Sequence, residues 1–213
     1  MRQWLLQKLT RERLDLFLDE QALTAPVLEV GASSRAQRER YTPLIASDII
    51  YHSELDVVHD AHHLPFADNS VPSILCLEVL EHCNTPQQVI DEFYRVLQPN
   101  GTLILTTRFI FPIHDAPHDY YRYTQYGLQH LMRDFSEVTI VPEAHTVVTM
   151  GVLYQRLAYQ VDWHVPFTKI FFLLIAKLMP LLQKTLKREY GDIRKDTTVS
   201  DILASGYYVV AKR

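Results

Sequence analysis

The sequence predicts an α/β protein built on a mostly parallel sheet, and three observations carry that expectation. From Val27 onward, short apolar runs alternate with helical patterns, the rhythm of strand–helix–strand units. Several of those runs end on an acidic residue, and the last two are separated by a long, apolar, non-repetitive stretch, 142–205. That stretch is too long for a hairpin and too apolar for a disordered linker, so it reads as a helical insertion. At 213 residues and 47% hydrophobic composition the chain can bury a substantial core, and its length suits one domain over 1–213.

Residues 1–25 start with MRQWLLQKLTRERL, where charges break the apolar run; this predicts a short amphipathic helix and lacks the continuous core of a secretory signal. Val27–Val30 is the first strand. Leu44–Asp48 is the second, ending on its acid, and the run Asp56–His59 leads to Asp60. Ser73–Leu77 (SILCL) reads as a strand buried on both faces, followed by Glu78. Thr85 suits a helix N-cap and Pro86 the first helical position, with Val89, Phe93 and Val96 as the buried stripe. The turn Gln98–Gly101 (QPNG) stops that helix, and Thr102–Thr107 is the next strand. Beyond a polar loop, Thr124 caps a helix with Leu128, Leu131 and Phe135 facing inward; Val138–Val141 and Tyr207–Ala211 are the closing strands.

A formal charge of −4 gives no global attraction to polyanions, so nucleic acid is not an expected partner. Two cysteines, Cys76 and Cys83, make neither a disulfide framework nor a zinc motif, and the expected setting is the cytoplasm.

Outside the carboxyl ends of parallel strands a doubly wound sheet leaves a crevice for a nucleotide-like ligand. Carboxylates at Asp48, Asp60 and Glu78 stand where they can accept hydrogen bonds from hydroxyls or an amine. In order and spacing, LEVGASSR, ASDI, HDAHHLPFADNS, CLEVLEH, DEFYRVLQPNGTLIL and TTRF resemble the class I S-adenosylmethionine-dependent methyltransferases of the small-molecule type, over about the first two-thirds of the chain.

The resemblance implies a Rossmann-like three-layer sandwich whose seven-stranded, mostly parallel sheet ends in a reversed C-terminal strand. In that frame 26–141 is the cofactor-binding core with an acceptor loop, 142–205 the helical insertion and 206–213 the closing strand. It also implies that Glu29 and Gly31 shape the loop for the methionine end, with Ala32 and Ser33 in it. Asp48 would bind the ribose, Asp60 with the Ala61 backbone would face adenine, and Glu78 would sit beside the cofactor. Leu64, Pro65 and Phe66 are available as an apolar wall. The family's loop commonly has alternating glycines, whereas GASSR keeps Gly31 and places Ser33 and Arg35 at the next two such positions. A catalytically silent methyltransferase-like subunit is the alternative; a dehydrogenase is weaker, since the alternating-glycine dinucleotide loop is missing.

The segment RFIFPIHDAPHDYYRYT after the fifth strand collects His114, Asp115, His118, Asp119, Tyr120, Tyr121, Arg122 and Tyr123, a polar set with aromatic walls suited to an acceptor. Methyl transfer from a sulfonium leaves the protein to align the acceptor and, for a hydroxyl, to remove its proton. His114 or His118 is the candidate base, oriented by Asp115 or Asp119, and Arg122 is placed to hold an anionic group of the acceptor. The competing reading makes Asp119 and Arg122 a structural pair, with the tyrosines anchoring the loop. Metal binding by His114 and His118 is disfavoured by Pro117, which biases Ala116 away from helix, and no metal is expected, at His59, His62 and His63 either.

Between 166 and 189 an apolar segment is interrupted at Lys169 and Lys177, so it does not read as a transmembrane helix. As one helix kinked at Pro180, it would put Lys169, Lys177, Lys184, Lys187 and Arg188 near one side. Seven Lys or Arg face two Asp or Glu between 164 and 195, in a chain with 21 against 25 overall. Two expectations stay open: an interfacial helix on anionic membrane, or an apolar face packed on the domain or in a homodimer. The expected function is methyl transfer to oxygen or nitrogen of a small acceptor, free or lipid- or sugar-linked, with S-adenosylmethionine as cofactor.

Overall fold

In the computed structural model, which describes residues 6–33, 36–165 and 167–213, the apolar runs become strands close to their sequence limits. In chain order the elements are α1 (Leu9–Asp19), β1 (Val27–Val30), β2 (Leu44–Asp48), β3 (Val57–Val58), β4 (Val71–Leu77), a 3-10 turn at Leu80–His82, α2 (Pro86–Val96), β5 (Leu97–Arg108), α3 (Gln125–Leu131), β6 (Glu137–Pro142), α4 (Thr146–Gln160), α5 (Thr168–Gln183) and β7 (Gly206–Lys212). They divide into two compact units. One comprises 21–108, 113–141 and 207–213; the other comprises 109–112, 142–206 and the described part of the first twenty residues.

The first unit carries a seven-stranded sheet of order β3-β2-β1-β4-β5-β7-β6. β1 runs parallel to β2 and β4, β2 to β3, and β4 to β5. β7 is reversed: Arg213 N donates to Gly101 O beyond one end, and Phe109 N to Ser205 O beyond the other. This is the Rossmann-like arrangement with a reversed closing strand. Its centre is dry because β1 is buried along its whole length, as are Ile74, Leu75 and Cys76 of β4 and Leu103, Ile104 and Leu105 of β5. The chain leaves β1 toward β2 and β3, then returns to β4 on the other side. That reversal places the switch point above the carboxyl ends of β1 and β4.

Several local expectations are corrected. QPNG does not break the chain between α2 and a strand: β5 starts at Leu97, and Val71 pairs Leu97 while Ser73 already pairs Thr102. The extra residues, with Asn100 at φ 64, are absorbed as a bulge in a continuing strand. Thr85 does occupy the N-cap of α2, but its side chain makes no cap bond, whereas Thr124 Oγ1 accepts from Gly127 N at 3.1 Å. α3 stops at Leu131, and Met132 is buried with Leu128 and Phe135 where Leu131 was expected. Among the described residues, 31–43 contains no helix. The segment has no apolar stripe, and turns tied by Arg38, which bonds Leu44 O, Glu54 O and Asp56, make the crossover.

In the second unit α4 buries Val148 and Val152 against Phe111, Ala144 and Leu9. Gln155 accepts from Leu9 N at 3.0 Å and donates to Gln7 O at 2.9 Å. Gly151 lets α5 approach: a Cβ there would stand 2.8 Å from Ala176 O. The single basic stripe is not formed, because α5 ends at Gln183 and leaves Lys187 and Arg188 beyond the helix. Lys177 instead bonds Gln7 O at 2.9 Å. Only Leu173 and Ala176 of α5 are buried, so Ile170, Phe171, Leu174, Leu178, Leu181 and Leu182 stay exposed, and packing on the domain does not occur for most of that face. No helix among the described residues is long and apolar enough to cross a membrane.

Candidate functional site

The turn after β1 is held open for a ligand by three local constraints. Gly31 has φ 78, and a Cβ there would overlap Val79 Cγ2, so only glycine keeps this backbone position clear. Gly31 N and Ala32 N both donate to Ser47 O, at 2.9 and 3.0 Å, which ties the turn to β2. Glu29, 3% exposed, accepts from Gln37 N at 2.6 Å and so closes the loop from below. Burial pushes the Glu29 carboxyl up to about 7, against the opposing pull of the Gln37 N–H and of Arg38.

At the end of β2, Asp48 accepts from Ser33 N (3.0 Å) and from Ile50 N (2.9 Å), tethering the loop across the crevice mouth. Asp60 accepts from His62 N at 2.9 Å; burial opposes its ionisation, but His62 holds it below the usual carboxylate range. These groups surround a crevice of about 520 Å³ lined by Gly31, Asp48, Asp60, Ala61, Val79, His82, Gln88 and Tyr120, with His59, His62 and His63. Gly31, Asp48, Asp60 and Ala61 therefore meet in one place, as the sequence expected. Ala32 is buried behind them, Ser33 sits on the exposed turn, and Arg35 lies outside the described residues.

Glu78 is placed differently. It turns at φ 58, accepts from Thr106 Oγ1 at 2.8 Å and pairs with Arg108, while Val79 takes the crevice wall. Leu64, Pro65 and Phe66 do not line the crevice; the three histidines before them do. Sequence reasoning considers those histidines only as metal ligands and passes over His82, although it directly follows Glu81 in LEVLEH.

The loop 113–124 is sewn to the turn after β4. Tyr120 N donates to Glu81 O at 2.9 Å, Tyr121 Oη to Asn84 O at 3.0 Å and Tyr123 Oη to Leu80 O at 3.0 Å. Arg122 grips Asp119 through two bonds of 2.6 Å, and this guanidinium holds the Asp119 carboxyl down at about 2. Asp119 and Arg122 thus bind each other in the way the competing reading anticipated. His114 is half-buried, its backbone N–H donating to Asp119 Oδ2 at 2.9 Å, and burial lowers the pKa of its ring. His118 is exposed, with Nδ1 3.1 Å from Tyr120 Oη. The two histidines do not converge; His114 instead groups with Glu81 and His82, with donor atoms within 4.8 Å of one another.

Residues 30–105 match the family model described as a methyltransferase domain. No curated sequence matches the chain. Among solved structures it resembles a Haloferax volcanii methyltransferase complexed with a methyltransferase activator, at 15% identity, covering 94% of this chain and 88% of that one, with a TM-score of 0.54. It also resembles a Bacillus halodurans methyltransferase (16% identity, 95% and 96% coverage, TM-score 0.53). A third likeness is to Haemonchus contortus phosphoethanolamine N-methyltransferase 2, solved with S-adenosyl-L-methionine, at 14% identity. It covers 95% of this chain but 52% of that one, with a TM-score of 0.55. Sheet order and the switch-point crevice are those of the Rossmann-like fold that these structures share. Over 30–105 the chain matches a methyltransferase domain, and S-adenosylmethionine is the cofactor that this match supports.

Proposed function

We propose that this chain transfers a methyl group from S-adenosylmethionine to an oxygen or nitrogen of a small, lipid- or sugar-linked acceptor bound beside Tyr120. The observation carrying the reading is the convergence of Gly31, Asp48 and Asp60 on one crevice above the switch point. The missing Cβ at Gly31 admits the methionine end, with Ala32 and Ser33 completing the turn. Asp48 accepts from the ribose hydroxyls, and Asp60 with the Ala61 backbone holds adenine. The cofactor supplies an electrophilic methyl on sulfur. Tyr120 lines the crevice and its hydroxyl lies 3.1 Å from His118 Nδ1, a route by which the acceptor's proton reaches His118. Asp119 and Arg122 position the loop, and with it Tyr120, rather than touching the acceptor. The exposed apolar row on α5 supports a lipid-linked acceptor met at a membrane surface from the cytoplasmic side.

Calorimetric titration tests the cofactor assignment. Wild type should bind S-adenosylmethionine, with Asp48→Ala and Asp60→Ala each weaker by roughly tenfold or more, about 1.4 kcal/mol. A wild type that takes up no cofactor overturns it. His118→Ala and Tyr120→Phe should lower turnover on acceptor while leaving cofactor affinity near wild type.

A further inference from the structure

We propose that Glu81, His82 and His114 form a binding site for one divalent first-row cation, zinc or manganese, at the edge of the cofactor crevice. Their donor atoms lie within 4.8 Å of one another, with His114 Nε2 3.9 Å from Glu81 Oε1 and the two imidazole rings 4.8 Å apart. Ligand atoms around a cation bound at about 2.0–2.2 Å stand roughly 3–3.6 Å apart, so small side-chain rotations that draw these groups together close the site.

The second observation is the state of Glu81. Its side chain is fully buried, Oε2 accepts from Thr107 Oγ1 at 2.7 Å, and Oε1 has no hydrogen-bond partner among the described residues. A buried carboxylate oxygen left this way is costly unless something positive meets it; Arg108 and Arg122 act on Glu81 through charge, and His114 Nε2 stands 3.9 Å from Oε1.

Both histidines are oriented as ligands. His82 Nδ1 lies 2.7 Å from the His118 carbonyl and donates to it, which leaves the lone pair on Nε2. His114 Nδ1 stands 3.5 Å from Asp119 Oδ2, the carboxylate–histidine arrangement that commonly backs a metal-bound imidazole. Asp119 is itself fixed by Arg122, so the His114 ring is braced from behind. Asp115 Oδ2, exposed and 3.8 Å from His82 Nε2, is near enough to add a fourth ligand by a small side-chain rotation.

Two imidazoles and one carboxylate suit zinc or manganese better than calcium or magnesium, and such a set leaves coordination positions open. His82 lines the crevice, so an open position faces the space where an acceptor would lie. A hydroxyl or carboxylate oxygen of that acceptor fits the position; this last step alone rests on the methyl-transfer reading, and cation binding does not.

The test uses the full chain after chelator treatment, titrated with zinc chloride by calorimetry and with manganese chloride by electron paramagnetic resonance, without S-adenosylmethionine. One ion per chain is expected, with affinity at least tenfold weaker in His82→Gln and in Glu81→Gln and unchanged in the exposed-surface control His130→Ala. Because Glu81 is buried, its variant counts only if its circular dichroism matches wild type; His82→Gln, at the crevice edge, keeps the test decisive. Failure of wild type to bind either ion, or binding that His82→Gln and His114→Gln both leave unchanged, overturns the proposal. Cofactor titration of the same samples is read separately, so loss of this site and loss of the methyltransferase reading are distinguishable.

Discussion

At Gly31 the backbone is left-handed and a Cβ would overlap Val79, so Gly31→Ala has to move both the turn and the crevice wall. S-adenosylmethionine affinity should fall at least tenfold in Gly31→Ala. Adding Val79→Ala should restore part of it by removing the overlap but not the backbone strain; calorimetry of the two variants separates these terms. Glu29 makes a pH prediction. Its folded pKa of about 7 lies above the ordinary carboxylate value of 4.5, so the folded state holds the proton more tightly between those two values. Stability should therefore fall as pH rises from about 4.5 to 7 and level off above, by up to about 3 kcal/mol from this group. Glu29→Gln, which keeps an acceptor for Gln37 N–H, should flatten that slope in urea melts at several pH values. Asp48 and Asp60 stood out in the sequence because each follows an apolar run, and Glu29 and Gly31 through the family resemblance. His82 did not, because its place depends on a loop folding back from 113–124 onto the turn after β4, the same fold that brings Tyr120 of the expected acceptor set to the crevice.

Among the elements, α5 departs furthest from its sequence expectation. Helical spacing put five basic side chains on one side, but the helix stops at Gln183, and Pro180 falls in its last turn. Phe171 and Leu174 are 58% and 52% exposed, with Ile170, Leu178 and Leu181 beside them in the helix, and Lys184, Lys187 and Arg188 follow directly. An apolar row of this kind ending in cations fits an anionic lipid surface. Flotation with vesicles containing phosphatidylglycerol should carry the wild type upward, and Phe171→Asp with Leu174→Asp should abolish it. If neither protein floats and the wild type sediments as a dimer that the variant loses, the face belongs to a second copy instead. The α2 stripe, by contrast, was read correctly from spacing: Val89, Phe93 and Val96 are all buried. Period alone suffices where a helix packs on its own sheet, as α2 does.

For the molecule as a whole, β7 closes the sheet from the far end of the sequence. It lies between β5 and β6, and Tyr207, Tyr208, Val209 and Ala211 are buried. Burial of large apolar side chains contributes roughly 1.5–3 kcal/mol each, against a total stability of about 5–15 kcal/mol. Removing 206–213 should therefore abolish the cooperative thermal transition in circular dichroism; a truncated chain that still melts cooperatively would show that the sheet stands without its closing strand. The sequence by itself determined most of the strands, their parallel core and the acids at their ends, because each is written in local periodicity, while the expected cofactor came from a resemblance in motif order and spacing. Only the tertiary structure decided that Glu78 turns away to Arg108, that Asp119 and Arg122 satisfy each other, and that Glu81, His82 and His114 meet. Arg108 lies thirty residues from Glu78, and His114 thirty-three from Glu81, and neither composition nor period encodes such meetings; the Asp119–Arg122 pair, three residues apart, was one of two readings that the sequence left open.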